Sequence, residues 1–472
     1  MTQTAVTARQ KTVERTPEAA ELRVLHFVPR VCWPLNTGAK LRNYHLAREL
    51  SRRARVTLLA FSESEERPED AGGPTRRAQE AQAQPALESP ERFYEQVITV
   101  ARDRGYTPAK IVRGALGRTP LPVLNYTTPA MKQALESALG ERHYDVVQVE
   151  SVHLAEYLPI IRAAKGRPLV ICDWHNIESE LMWRYSERQT SPWRAAYARR
   201  ASRQMRSLER RAVRDFDAHI VVSGRDGARL LADEPAARVH VIENGVDTSY
   251  YADEPVRRAH AEWLARADGR GATARPDAPA RSADVAAHER HRVVFVGSMD
   301  YHANVDAAVS FTKEVWPRLS EQRPELTFTI VGREPAPEVR ALAQVPGVEV
   351  TGTVDDVRPY YQEALCSIIP LRVGGGSRLK ILEAMAAGVP VVSTELGAEG
   401  LDVRDGENII LAETGDDFRE AIIDLGENEE RRGRLRAGGR ALVSERYDWS
   451  TLGTALFAKY QGLLAEDELT EA

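Results

Sequence analysis

The sequence predicts an α/β protein of two halves, each a parallel sheet with helices on both faces. Three observations carry that prediction. Short apolar runs alternate with segments of helical periodicity along both halves, which is the pattern of parallel sheets whose strands are buried on both sides. Glycine turns stand between a strand's end and a helix start, at Thr37-Gly38-Ala39 and Gly374–Gly376, the plan of a βαβ unit. The chain has 472 residues, more than one hydrophobic core organises.

Taken in order, residues 1–20 are polar, have no apolar stretch of the kind a secretory leader needs, and read as a disordered tail. A first domain is expected over 21–245. Leu22–Val28 is its first strand. Leu41, Tyr44, His45 and Leu50 then recur at helical spacing, and Val56–Phe61 is the next strand. Residues 62–91, rich in Glu, Pro, Gln and Ala, read as a surface insertion. Tyr144–Val149 and Leu169–Cys172 are strands, Trp193–Arg214 a long helix and Ala218–Val222 a strand. Val239–Asp247 ends in an Asn-Gly turn that marks the domain exit. A linker or loop insertion spans 246–290. The alternation restarts in a second domain, 291–446, with strands at Arg292–Gly297, Leu326–Gly332 and Val348–Gly352 and helices at Asn304–Ser320 and Asp355–Leu365. Residues 447–472 form a C-terminal helical segment.

Composition excludes several classes. Hydrophobic content of 43% and charged content of 28% fit a soluble globular protein. A net charge of −5 offers no argument for nucleic acid. Cys32, Cys172 and Cys366 are far apart, with neither metal-ligand spacing nor a disulfide framework. No apolar run is long enough to span a bilayer. A cytoplasmic location is expected. The glycine fingerprints of dinucleotide enzymes and P-loop NTPases are missing.

The stretch 370–394, PLRVGGGSRLKILEAMAAGVPVVST, carries the most chemistry. Gly374, Gly375 and Gly376 follow an apolar run, Ser377 offers a helix N-cap, and Arg378–Ala387 is made of good helix formers before Gly388. Free amides at such a helix start favour an anion. Lys380 and Glu383 share one helix face, opposite Leu379, Leu382 and Met385, so a phosphate flanked by a ribose would use both. An exposed Lys–Glu pair on an ordinary βαβ unit is the plain alternative.

Leu382–Thr394 (LEAMAAGVPVVST) resembles the donor-binding signature of retaining, GT-B-fold glycosyltransferases of family 4 (glycosyl transferases group 1). The resemblance departs at Gly375, where the usual signature has a glutamate. It implies two facing Rossmann-like domains with a donor cleft between them. It also implies transfer of a hexosyl-type sugar from a nucleotide diphosphate donor, UDP- or GDP-linked, to a glycan or lipid-linked hydroxyl, with retention and with neither cofactor nor metal. His175, in Asp173-Trp174-His175-Asn176, matches the family's strand-end histidine. With Arg378, Lys380 and Glu383 it makes up the expected catalytic set. Gly38, Lys40 and Arg42 open the first helix near the expected diphosphate or sugar. Gly297-Ser298 matches the first strand of the second domain, but the family's arginine and lysine after it are absent. Arg378 and Lys380 are expected to restore that charge. Val354 is the expected base contact. Gly397, Ala398 and Glu399, with Gly374–Ser377, are expected around the sugar.

Two other readings share these residues: a non-catalytic nucleotide-sugar-binding subunit and a nucleotide-sugar 2-epimerase of the same fold. Separately, ten arginines stand against two acids between Arg184 and Arg214, with aromatics interleaved. A solvated helix is the usual meaning of such a run. The alternative is peripheral association with the inner face of a membrane.

Overall fold

The computed structural model describes residues 6–10, 22–35, 37–63, 89–102, 106–187, 189, 191–252, 291–373 and 378–471. The chain forms two compact units, one of Met1–Glu243 with Trp449–Ala472 and the other of Asn244–Asp448.

Unit 1 is built on an eight-stranded sheet: β1 (Val6–Gln10), β2 (Arg23–Val28), β3 (Arg55–Glu63), β4 (Gln96–Arg102), β5 (Val146–Glu150), β6 (Leu169–Trp174), β7 (Ala218–Val221) and β8 (Val239–Val241). Its spatial order is β1-β4-β3-β2-β5-β6-β7-β8. All neighbours are parallel except β1, which runs antiparallel to β4. The tail expected over 1–20 therefore holds an edge strand at Val6–Gln10, whose backbone satisfies the open side of β4. Strand order reverses between β2 and β5. In doubly wound sheets that reversal opens a crevice beyond the strand C-termini.

Four helices of unit 1 carry the residues of interest: α1 (Gly38–Leu50), α2 (Pro108–Leu116), α3 (Glu178–Glu187) and α4 (Pro192–Asp215). Thr37 caps α1, its Oγ1 accepting the Lys40 amide. The C-terminal helix Trp449–Glu471 packs Leu452, Leu456, Tyr460 and Leu463 into the same core as Leu46, Ala47 and Leu50 of α1. His45 stacks on Trp449 with ring centroids 5.3 Å apart.

Unit 2 has six parallel strands: β9 (Arg292–Val296), β10 (Thr327–Val331), β11 (Val348–Gly352), β12 (Ala364–Ile369), β13 (Val391–Ser393) and β14 (Ile410–Leu411), ordered β11-β10-β9-β12-β13-β14. Its reversal lies between β9 and β12. Residues 246–252, expected within the linker, join this unit. Val246 bridges Asp448, and Tyr250 and Tyr251 lie on a short helix, Thr248–Ala252, against the helix Leu379–Ala386. The remainder of the expected linker, and most of the 62–91 insertion, lie outside the described residues. The helix expected over Asn304–Ser320 is present as His302–Ser310, a π turn at Phe311–Val315 and Trp316–Gln322. That over Asp355–Leu365 shrinks to Arg358–Gln362, because β12 takes up the chain from Ala364.

Candidate active-site residues

In unit 1, the C-terminal ends of β2, β5 and β6 carry polar residues where the sheet is otherwise apolar. Register places His26 opposite Gln148 and Glu150 opposite Asp173. The hub is Glu150, whose side chain is 1% exposed. Its Oε1 accepts from His26 Nε2 at 2.8 Å and from Gln148 Nε2, and its Oε2 accepts from His175 Nε2 at 2.7 Å. The Asn43 carboxamide, with its nitrogen turned inward, adds a donor to Oε2 at 3.1 Å. The far side of His26 is held by the Tyr94 hydroxyl, 2.9 Å from Nδ1. A file of hydrogen bonds thus runs Tyr94–His26–Glu150–His175.

Burial alone would raise the Glu150 carboxyl, but the bonds and charge of His175 and His26 outweigh it and hold the group well below the ordinary carboxylate range. For His175, burial opposes the imidazolium, and the Glu150 hydrogen bond and charge prevail, so its pKa is raised. Because Nε2 donates to Glu150, Nδ1 is the ring nitrogen that the carboxylate does not engage.

The structure corrects the reading of Arg42. It does not add positive charge for a diphosphate. Its guanidinium is buried and forks onto Asp173, at 3.0 and 3.2 Å from NH2 and 3.3 Å from Nε, with NH1 donating to the Glu243 carbonyl at 2.9 Å. From the start of α1, a side chain of that length reaches the sheet edge, where a buried carboxylate needs it. Asp173 lies within β6 and anchors Arg42 at the sheet edge. Gly38 and the half-buried Lys40 stay on the opening turn of α1. Glu150, Asp173 and His175 each present an atom within 4.8 Å of the others. Arg42 already occupies the Asp173 side of that cluster, and the donors around Glu150 fill its lone pairs, an arrangement that fits protons better than a cation. All three cysteines are buried thiols, with burial pushing Cys32 up to about 11 and Cys366 to about 12, so none is poised as a nucleophile.

In unit 2 the reversal between β9 and β12 gathers a second group. Gly297 follows β9, and Gly332 and Arg333 follow β10. The helix α5 (Leu379–Ala386) brings Lys380 and Glu383. The α5 cap is Arg378, one residue later than the expected Ser377, and Gly388 has φ 69°, the left-handed geometry that ends a helix. Lys380 Nζ donates to Asn304 Oδ1 at 2.6 Å and lies 4.9 Å from the Phe295 ring centroid. The other end of the Asn304 amide donates to the Ser298 carbonyl at 2.8 Å. A Cβ on Gly297 would stand 2.8 Å from Asn304 Nδ2 and 3.2 Å from Lys380 Nζ, so glycine here lets those two side chains approach the end of β9. Burial lowers Lys380 to about 7, against the charge of Glu383. Burial raises Glu383 to about 7, against Lys380 and a hydrogen bond from Tyr251.

Arg333 was not singled out in the sequence. Its Nε donates to Ser298 Oγ at 3.0 Å, which puts a guanidinium beside the Gly297-Ser298 turn where the family's cations are missing. The available signal was Val331-Gly332-Arg333, which repeats the strand-then-glycine plan of Val296-Gly297-Ser298 one strand over. Glu150 was missed because it closes an apolar strand. The pair Gln148 and Glu150, alternating on one face, was its only mark.

Other expectations are corrected. Arg378 is not a second cation facing open space: it is buried, with Nε donating to the Glu399 carbonyl at 3.2 Å and NH2 to the Glu399 carboxylate at 3.3 Å. That also engages Glu399, expected to take a sugar hydroxyl. The Gly397 amide caps on Thr394 Oγ1 at 2.9 Å, and the Ala398 amide bonds the Thr394 carbonyl at 3.1 Å, because Thr394 starts a short helix, Glu395–Ala398. Neither amide is left for a sugar. Val354 is half-buried against the unit 2 core, just past Gly352. Gly374, Gly375, Gly376 and Ser377 lie outside the described residues.

Two family models match the chain: Glycosyltransferase Family 4 over residues 37–250 and Glycosyl transferases group 1 over 290–428. A phosphatidyl-myo-inositol mannosyltransferase of Mycobacterium leprae is 30% identical over 175 residues, 36% of this chain and 46% of that one. The chain spans about half the length of the curated relatives it matches. Among solved structures, Anabaena HepE in complex with UDP and glucose aligns over 94% of this chain and 100% of its own at 16% identity, TM-score 0.58. The sucrose-phosphate synthase of Thermosynechococcus elongatus aligns over the same shares at 16% identity, TM-score 0.62. These likenesses fix the fold, and the two family models together span both sheets: the chain belongs to the GT-B glycosyltransferases of group 1 and family 4.

Proposed function

We propose that the chain transfers a hexosyl-type sugar from a nucleotide diphosphate to an acceptor hydroxyl with retention at the anomeric carbon. One observation carries the reading. Lys380 and Glu383 stand one turn apart on α5, at the reversal of a parallel sheet, with Lys380 held by Asn304 close against Gly297 at the end of β9. In this reading Lys380 and Arg333 hold the diphosphate, Asn304 steers Lys380, and Glu383 takes the ribose. In unit 1, His175 offers Nδ1 to the sugar and Glu150 holds its ring. The acceptor oxygen bonds the anomeric carbon as the carbon–phosphate oxygen bond breaks. The acceptor proton passes to the departing phosphate. The protein's part is to hold the developing phosphate charge and the oxocarbenium-like centre in fixed geometry.

The donor is a UDP- or GDP-sugar and the acceptor a glycan or lipid-linked hydroxyl. The mannosyltransferase name of the mycobacterial relatives and the UDP and glucose of HepE favour those choices. The reading needs no cofactor and no metal, and assigns the protein to the cytoplasm. Among the described residues no helix is long and apolar enough to cross a membrane.

The test is release of nucleoside diphosphate from UDP-glucose and GDP-mannose, with and without lipid and glycan acceptors, and the anomeric configuration of the product. Acceptor-dependent release with retained configuration is expected, lost in His175→Ala. An inverted product overturns the mechanism. Donor binding with no transfer favours a binding subunit, and an epimerised sugar formed without acceptor favours the epimerase.

A further inference from the structure

Unit 1 carries an exposed face that the proposed chemistry does not use. On α4, Arg199, Arg203, Arg206, Arg210 and Arg214 recur at i, i+4, i+7, i+11 and i+15, so they form one stripe. The opposite side of the helix buries Ala198, Ala201, Met205, Leu208 and Ala212. The helix α3 packs along one flank, with Ser202 Oγ donating to the Ser179 carbonyl at 2.8 Å and the Ser179 amide donating to Glu209 at 2.8 Å. On the other flank lies the end of α2. Arg200 NH2 donates to the Gly117 carbonyl at 3.1 Å, and Gln204 Nε2 donates to the Gly114 carbonyl at 2.9 Å. Between α3 and α4 runs a groove of about 910 Å³, lined by seven arginines against Glu180 and Glu187.

Some of that charge is neutralised. Asp233 takes Arg206 and Arg210, and Glu180 takes Arg184. Arg203, Arg211 and Arg214 make no ion pair among the described residues, and all three are exposed. A chain with a net charge of −5 thus concentrates unneutralised positive charge on one helix side.

The segments that bear the stripe and its flanks also hold most of the exposed apolar surface. Of the fourteen large hydrophobic residues exposed among the described ones, nine fall between Tyr106 and Leu116 or between Leu181 and Tyr197. Trp193 is 86% exposed and Leu116 80%. Single exposed hydrophobics are ordinary, but a cluster flanking a cationic stripe is not.

We propose that α2, α3 and α4 form a docking face for an anionic bilayer, with the arginine stripe against lipid phosphates and Trp193, Trp183 and Leu116 entering the headgroup boundary. Charge complementarity selects this occupant, and the mixture of guanidinium with indole and aliphatic groups is that of interfacial helices, not of a purely solvated one. The inference is independent of sugar transfer, and its test measures no turnover.

The full chain is sedimented with phosphatidylglycerol–phosphatidylcholine vesicles and with pure phosphatidylcholine, while tryptophan emission is followed. Binding to the anionic vesicles, reversed by salt and accompanied by a blue shift, is expected. Replacing Arg203, Arg211 and Arg214 with Gln breaks no ion pair among the described residues. It should weaken partition by about a hundred-fold, at roughly five-fold for each arginine near the surface. A second variant, Trp193→Ser with Leu116→Ser, should abolish most of the blue shift and weaken binding. Equal supernatant recovery with and without vesicles overturns the proposal, as does equal binding to neutral vesicles or full anionic binding by either variant. Inorganic phosphate or a soluble polyphosphate that occupies the groove without any vesicle binding would also overturn it, assigning the arginines to a free anion.

Discussion

Replacing Glu150 with Gln tests the file Tyr94–His26–Glu150–His175 directly. The wild-type carboxylate takes four donors: His26 at 2.8 Å, His175 at 2.7 Å, Gln148, and Asn43 at 3.1 Å. A carboxamide of the same shape accepts through one oxygen only. Its nitrogen must then face either His26 or His175, both of which now donate. One histidine must turn its tautomer over, or a buried donor goes unmet at a cost of about 1–3 kcal/mol. The larger effect is electrostatic. Burial disfavours the His175 imidazolium, and Glu150 is the main opposing influence. In the variant the His175 pKa should fall from above to below its ordinary value of about 6.5. The sign follows for stability. A raised histidine pKa contributes stability that is complete below about pH 6.5 and is lost as pH rises through the raised value, and Glu150→Gln, with its His175 pKa below the ordinary value, should reverse that pH dependence. For turnover, a misoriented imidazole costs on the order of 100-fold or more, expected in kcat with little change in donor KM. The assay is histidine ring NMR across pH, assigned by His175→Ala, alongside kcat and KM profiles and a thermal scan to establish folding. A folded Glu150→Gln protein whose His175 titrates as in wild type would refute the reasoning.

Glu383→Ala should weaken nucleotide binding through loss of the ribose contact, and unchanged donor affinity by calorimetry would remove the assignment. Arg333→Ala should lower donor affinity and rate, by on the order of 100-fold for a charge aligned on the departing phosphate. Arg378→Ala should act mainly on thermal stability, since its guanidinium is tied to Glu399, and the reverse ranking in paired kinetic and melting measurements would reinstate Arg378 as the phosphate cation. Gly332→Ala should destabilise unit 2, because its Cβ would fall 1.7 Å from the Gly297 carbonyl oxygen and force the β9 and β10 turns apart. A melting temperature equal to wild type would count against that packing.

The order of strands and helices was legible because buried parallel strands cannot hide their apolar runs, and helices such as α1 and α4 show their periodicity. The positions of Lys380, Glu383 and His175 were legible because each sits beside a glycine turn or a strand end. Pairing was not legible. Arg42 and Arg378 read as cations awaiting a phosphate, since one-dimensional spacing shows charge and not what lies across from it. The partner of Arg42 is Asp173, 131 residues away, and that of Arg378 is Glu399, across the turn after β13. Arg333 was overlooked for the converse reason: its role depends on β10 lying next to β9, a fact of sheet order that no local motif contains. The loop amides at Gly397 and Ala398 looked free until Thr394 proved to start a helix. Sequence reading thus located strand ends well and assigned hydrogen bonds badly, because the first depends on local pattern and the second on long-range register.

That register also makes the Lys380–Glu383 pair more than a fixed cation beside a fixed anion. Burial brings both groups to about 7, so near neutral pH both titrate and the Lys380 amine is partly deprotonated. An arriving diphosphate changes the balance. Its negative charge favours the ammonium form of Lys380, and because the amine starts partly deprotonated, binding must take up a proton from solvent. Well below pH 7 Lys380 is already charged, and no uptake is needed. Well above pH 7 the proton must be acquired in full, so affinity should fall by up to about ten-fold per pH unit. Calorimetric titration of the nucleoside diphosphate in buffers of different ionisation enthalpy measures the uptake. It should be fractional at pH 7, approach zero toward pH 5.5 and rise toward pH 8.5. In Lys380→Met, affinity should drop at neutral pH and the uptake assigned to this site should disappear. The phosphate's own second ionisation also takes up or releases protons, so the comparison that decides is wild type against Lys380→Met at each pH. Identical proton uptake in the two proteins would show that Lys380 reaches the ligand already charged, and the pair would then be a structural ion pair and not a proton reservoir for donor binding.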